Sequence, residues 1–148
     1  MSSSLVLRQK KRESLAERNM VIIDTTIWIE FFRKKAEYVE KVKTLLNHRL
    51  VLGISVIGAE ILQGAKNQRE VEQIQGIFEN LPELDHPIDW LDAGLFSNQH
   101  NLINSGIGII DAFIIKSALV NDSKIWTLDK KIIQFTPQEN LYQFEIPN

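Results

Sequence analysis

Apolar and polar residues fall in blocks along this chain, and the blocks predict alternating strands and helices. The run at 20–23 is apolar and rich in β-branched side chains, as in a short buried strand. Asp24, Thr25 and Thr26 end it, and such residues cap a following helix. Ile27, Trp28, Phe31 and Phe32 then recur at helical spacing, so the strand feeds a helix through a tight turn. Residues 36–49 place Tyr38, Val39, Val42, Leu45 and Leu46 on one face, predicting an amphipathic helix. A second short strand is expected over 50–54. Ser55 then opens a helix to Gln63, with Gly64 as its stop.

Further helices are expected over 66–80 and from 88 to about 103, the latter with Asp89 and Asp92 in its first turn. The apolar run from Ile109 to Leu119 predicts another helix, with Asp111 near its start. A strand follows at 124–128, then Asp129, a short helix to Phe135 and a last strand at 141–146. Strands alternating with helices predict parallel βαβ units, hence an α/β fold. The expected form is a three-layer α/β/α sandwich with a mainly parallel central sheet. Trp28, Trp90 and Trp126 lie on apolar faces and are expected in the core.

Length and composition fit one domain, expected to begin at Met20 and run to 148. The charge is uneven. Residues 1–19 carry a local +3 and residues 20–148 a local −5, so the head reads as a basic, flexible extension. The chain has no cysteine, which removes disulfides and thiolate metal sites and suits a reducing cytoplasm. His48, His86 and His100 lack zinc-ligand spacing. No apolar run approaches a membrane span, and the start does not read as a secretory signal.

The chemistry concentrates in four acids. Asp24, Asp111 and Asp129 each stand where an apolar run ends and a helix begins, and Glu60 lies one turn inside a helix. In an open parallel sheet the carboxyl ends of the strands gather on one edge, so these side chains can converge there. Converging carboxylates repel unless something positive lies among them. Hard divalent cations such as Mg²⁺ or Mn²⁺ prefer oxygen ligands and suit the quartet, and such a site can activate water against a phosphodiester. Thr25 and Thr127 are candidates to position a water, whereas Thr26 reads first as a cap. Lys116, one turn past Asp111, is a candidate phosphate contact, with solvation or acid pairing the blander alternative.

Four motifs carry a family resemblance: VIIDTTIWIEFFR at 21–33, AEILQG at 59–64, GIIDAFIIKSA at 108–118 and IWTLDK at 125–130. In this order and spacing the chain resembles the PIN-domain nucleases, and among them the VapC-type toxins of toxin–antitoxin modules. The resemblance implies Asp24, Glu60, Asp111 and Asp129 as the metal-holding catalytic quartet, with Thr25 and Thr127 as helpers. It also implies a Mg²⁺- or Mn²⁺-dependent endoribonuclease acting on RNA, a homodimer, and inhibition by a small antitoxin protein. The 19-residue head departs from the family pattern, as do Phe113 and Lys116, where such toxins carry smaller residues. Two other readings stay open: a housekeeping PIN nuclease in RNA maturation, and a non-catalytic α/β module that binds a partner.

Overall fold

The computed structural model describes residues 19–143. The basic extension therefore lies outside the described residues except for Asn19, as does the end of the expected last strand. The elements in order are β1 (Val21–Ile23), α1 (Thr25–Phe32), α2 (Ala36–Asn47), α3 (Ser55–Gln63), α4 (Gln68–Glu79) and α5 (Trp90–Gln99). A 3₁₀ turn (Leu102–Ser105), α6 (Ile109–Val120), β2 (Lys124–Trp126), α7 (Lys130–Phe135) and a second 3₁₀ turn (Gln138–Asn140) complete them.

β1 and β2 pair in parallel, Val21 opposite Lys124 and Ile23 opposite Trp126. Single parallel bridges extend this sheet on both sides, Val51 against Val21 and Leu141 against Ile125. The expected strands at 50–54 and 141–146 are thus reduced, among the described residues, to one bridge each. On the first side the cause is visible: Leu52 N–H reaches Val21 O at 2.9 Å, but Gly53 N–H turns to Pro82 O at 2.8 Å and leaves the ladder. Across the sheet the chain order is 51, β1, β2, 141, so the order reverses between β1 and β2. Open α/β sheets place ligands at such a point, outside the carboxyl ends of the strands.

The helices pack in two sets, α1 with α2 and α3 and α3 with α4 in one, α5 with α6 in the other. With the parallel sheet they form the expected α/β/α sandwich. Ile22, Ile27, Ile114, Ile115 and Ile125 are fully buried and fill the core. Trp28 is buried in an aromatic cluster, with ring centroids 5.6 Å from Phe31, 6.2 Å from Phe32 and 5.4 Å from Phe78. Gly58 lets α3 approach α4 here, because a Cβ at that position would stand 3.0 Å from the Phe78 ring. Trp126 is buried against Tyr38 and Tyr142.

Two expectations are corrected. Trp90 is not core: it is 48% exposed and rests on Phe113 with centroids 4.4 Å apart. The helix expected from 88 to 103 ends at Gln99. It starts with a capping box between Asp89 and Asp92, and Asn101 in the left-handed region (φ 53°) then redirects the chain into the 3₁₀ turn.

Candidate active site

The turn after β1 and the turn after β2 meet at the point of strand reversal. Asp24 N–H donates to Trp126 O at 2.9 Å, which holds the two strand ends together. Asp24 is buried and stands at the N-cap position of α1, yet its side chain makes no cap hydrogen bond. Its Oδ2 instead accepts from Thr127 Oγ1 at 2.7 Å and from Thr26 Oγ1 at 3.0 Å. Each hydroxyl is fixed in turn by a backbone N–H of the second turn. Leu128 N–H donates to Thr26 Oγ1 and Asp129 N–H donates to Thr127 Oγ1, both at 3.0 Å. A hydrogen-bonded seam through Asp24, Thr26 and Thr127 therefore sets one turn against the other.

Glu60 comes from α3, where its Oε1 accepts from Thr25 Oγ1 at 2.9 Å. The partner this carboxylate needs among apolar neighbours is thus a hydroxyl from α1. Asp129 caps α7, accepting from Lys131 N–H at 2.9 Å. One of its oxygens is therefore engaged in helix capping. Asp111 lies in the first turn of α6 and is half-buried. Its carboxyl is pushed up to about 6, first by burial and then by the charges of Asp24, Asp129 and Glu60, against a smaller opposing pull from Lys131. Asp111 therefore lies within electrostatic reach of the other three acids.

Two contributors escape sequence reading. Thr26, read first as a cap, is the hydroxyl that joins Asp24 to Leu128. Lys131, whose Nζ lies 3.5 Å from Gly106 O, is the cation that opposes the raised state of Asp111. Its position in the first turn after Asp129 was the available signal. Lys116 lies over the Phe96 ring at 5.5 Å, so the structure gives it a cation–π contact rather than a place among the acids.

The donor set suits a hard cation: every candidate ligand is an oxygen, and around Asp111 three carboxylates act against the pull of Lys131. The side chains do not form a closed cage. Among the described residues no three His, Cys, Asp or Glu stand close enough to enclose a metal by themselves. Mg²⁺ tolerates this, because it keeps several waters and takes only one or two protein carboxylates directly. Among the described residues, no helix is long and apolar enough to cross a membrane.

Comparison with the curated proteins gives no match for this chain. Comparison with protein families gives one, the PIN domain, over residues 21–136. That stretch runs from the first residue of β1 to the residue after α7 and contains all four acids and the hydroxyl seam. The chain therefore belongs to the PIN domain family, whose members are in general metal-dependent nucleases.

Proposed function

We propose that this chain is a Mg²⁺- or Mn²⁺-dependent endoribonuclease and the toxin of a type II toxin–antitoxin pair of the VapC type. The observation that supports the nuclease reading is the hydroxyl seam that fixes Asp24 at the strand reversal, with Asp111 within electrostatic reach of Asp24, Asp129 and Glu60. Asp24 and Asp111 are assigned as the carboxylates that hold the cation directly, since both stand at element starts where the backbone is fixed. Glu60 and Asp129 are assigned to it through water. A divalent cation bound there offsets the carboxylate charge and polarises a water and the scissile phosphate.

The chain's own residues supply orientation and proton transfer. Thr26 and Thr127 fix Asp24 through Oδ2, which directs its remaining oxygen. Thr25 holds Glu60 through Oε1, leaving Oε2 to accept a proton from the attacking water. The water oxygen bonds to phosphorus, the bond to the 3′ oxygen breaks, and that oxygen takes up a proton. The products are a 5′-phosphate and a 3′-hydroxyl.

The toxin reading rests on the VapC-like motifs at 21–33, 59–64, 108–118 and 125–130. A homodimer and a small antitoxin protein are the partners proposed with this reading, from the same motifs. The absence of cysteine suits the cytoplasm as the site of action. The basic segment 1–19 is proposed as an extension outside the single nuclease domain.

The test is the chemistry of the cut ends. RNA cleaved by the purified protein with Mg²⁺ should carry 5′-phosphate and 3′-hydroxyl ends, and Asp24→Asn or Asp111→Asn should lower the rate by orders of magnitude in a folded protein. Ends bearing 2′,3′-cyclic phosphate would overturn the mechanism. Growth arrest on expression, relieved by the protein of an adjacent small reading frame, is the expected mark of a toxin. Absence of arrest would return the chain to the housekeeping nucleases.

A further inference from the structure

The side chain of Lys131 spans from the start of α7 to the 3₁₀ turn that precedes α6. Its backbone N–H donates to Asp129 Oδ1 at 2.9 Å, which sets where the side chain leaves the second turn. The stem crosses to Gly106, whose carbonyl oxygen lies 3.5 Å from Nζ. The approach is close, because a Cβ on Gly106 would stand 3.0 Å from Nζ, 3.2 Å from Cε and 3.4 Å from Cδ. The left-handed φ of 76° already favours glycine there, so no side chain parts the turn from the lysine. Asp111 stands in the first turn of the helix that follows, and Lys131 acts on its charge. Lys131 is exposed. Among the described residues it forms no ion pair, so its charge is not spent on the acids it faces.

We propose that Lys131 is a substrate-binding residue of this site, its ammonium meeting a non-bridging oxygen of the phosphate at the cut. The inference rests on the nuclease reading and adds a residue to it. A phosphodiester that reaches the acids enters the field of Asp24, Glu60, Asp111 and Asp129, and a cation of the chain beside them offsets that repulsion. The ammonium is free to move. Its contact with Gly106 O is long for a hydrogen bond and weak, and a lysine is a compact charge with three donors on a flexible stem. A phosphate oxygen offers it a charge-assisted bond in exchange. Other cations are committed elsewhere: Lys116 lies over Phe96, and Arg33 and Lys35 pair with Glu30 towards the far end of α1. The tie to Gly106 thus holds a free positive charge beside the acids without pairing it to them.

The test measures binding rather than turnover. A short RNA that the parent cuts at a mapped bond is made in fluorescent 2′-O-methyl form and titrated with the full chain, with Ca²⁺ replacing Mg²⁺. Lys131→Gln removes the cation, Lys131→Arg keeps it, and Lys130→Gln removes the exposed neighbouring charge as a control. One phosphate contact on a single strand is worth about 0.7 in the slope of log affinity against log salt, hence about five-fold at roughly 0.1 M salt. Lys131→Gln should lose that much of both, Lys131→Arg should recover most of it, and Lys130→Gln should lose less. A second strand carries one uncharged methylphosphonate at the cut, and the parent and Lys131→Gln should bind it alike. The rise in melting temperature with Mg²⁺ should survive in Lys131→Gln, since the acids are untouched. A Lys131→Gln protein that binds the charged strand like the parent, that loses no more than Lys130→Gln, or that loses affinity for both strands equally overturns the contact and leaves the nuclease reading standing. Loss of the cooperative melt or of the Mg²⁺ response in Lys131→Gln makes the lysine a structural tie and overturns the contact too. A parent that neither binds nor cuts RNA overturns the nuclease reading, and the contact falls with it.

Discussion

Asp24 stands where a carboxylate usually caps the next helix, but its side chain is held by Thr26 and Thr127 and makes no cap bond. Asp129 does cap its helix. Equivalent sequence positions thus carry different duties, and the distinction depends on which hydroxyls the facing turn brings. Two predictions belong to this scale. Mg²⁺ or Mn²⁺ should raise the melting temperature, because a ligand that binds only the folded state stabilises it by mass action. Asp24→Asn combined with Asp111→Asn should abolish that rise, and a double variant that responds like the parent would move the site elsewhere. The second concerns protons. Asp111 binds its proton more tightly when folded, with its carboxyl pushed up to about 6. Between about pH 4, where an unfolded aspartate titrates, and about pH 6, the folded state therefore holds more protons than the unfolded state. Its stability contribution is full below the unfolded value and is lost as pH rises through about 6. With chelator present, the urea midpoint of the parent should fall over this window relative to that of Asp111→Asn. Parallel pH curves for the two would contradict the raised state of Asp111.

At the scale of elements, α1 ties the site to the core. Thr25 and Thr26 face the acids, while Trp28, one turn on, is buried among Phe31, Phe32 and Phe78. Truncating so large a buried ring should make Trp28→Ala cost roughly 3–5 kcal/mol in chemical denaturation. A Trp28→Ala protein of parental stability but without activity would instead place the ring in the site. Most elements were legible in the sequence because local patterns make them: helical spacing forms α1 to α4, and a β-branched run before an acid forms β1. What was not legible depends on distant partners. Gly53 leaves the ladder because Pro82 O takes its N–H, and the chain bends at Asn101 through a left-handed residue that no hydrophobic period reveals. The exposure of Trp90 is of the same kind, since its ring covers Phe113 from outside rather than entering the core. Asp24, Asp111 and Asp129 were legible from strand and helix starts, whereas Thr26 and Lys131 join them only through the register of two turns.

For the whole molecule the question is how an acidic body attracts RNA. Residues 20–148 carry a net −5 and the quartet adds to the local repulsion, whereas residues 1–19 carry +3, with Arg8, Lys10, Lys11 and Arg12 close in sequence. Binding of a nucleic acid releases one counterion population per neutralised phosphate, so basic residues that touch the backbone set the salt dependence. The PIN match begins with the first residue of β1, after this segment. Removal of residues 1–18 should therefore leave the thermal transition cooperative and the single-turnover cleavage rate little changed. RNA affinity at low salt should fall, and the slope of log affinity against log salt should lessen by up to about 3, from about 0.7 for each of four lost contacts on a single strand. A shortened chain that no longer folds would make the segment part of the domain. An unchanged salt slope would show that cations of the described domain carry the backbone contacts without the head.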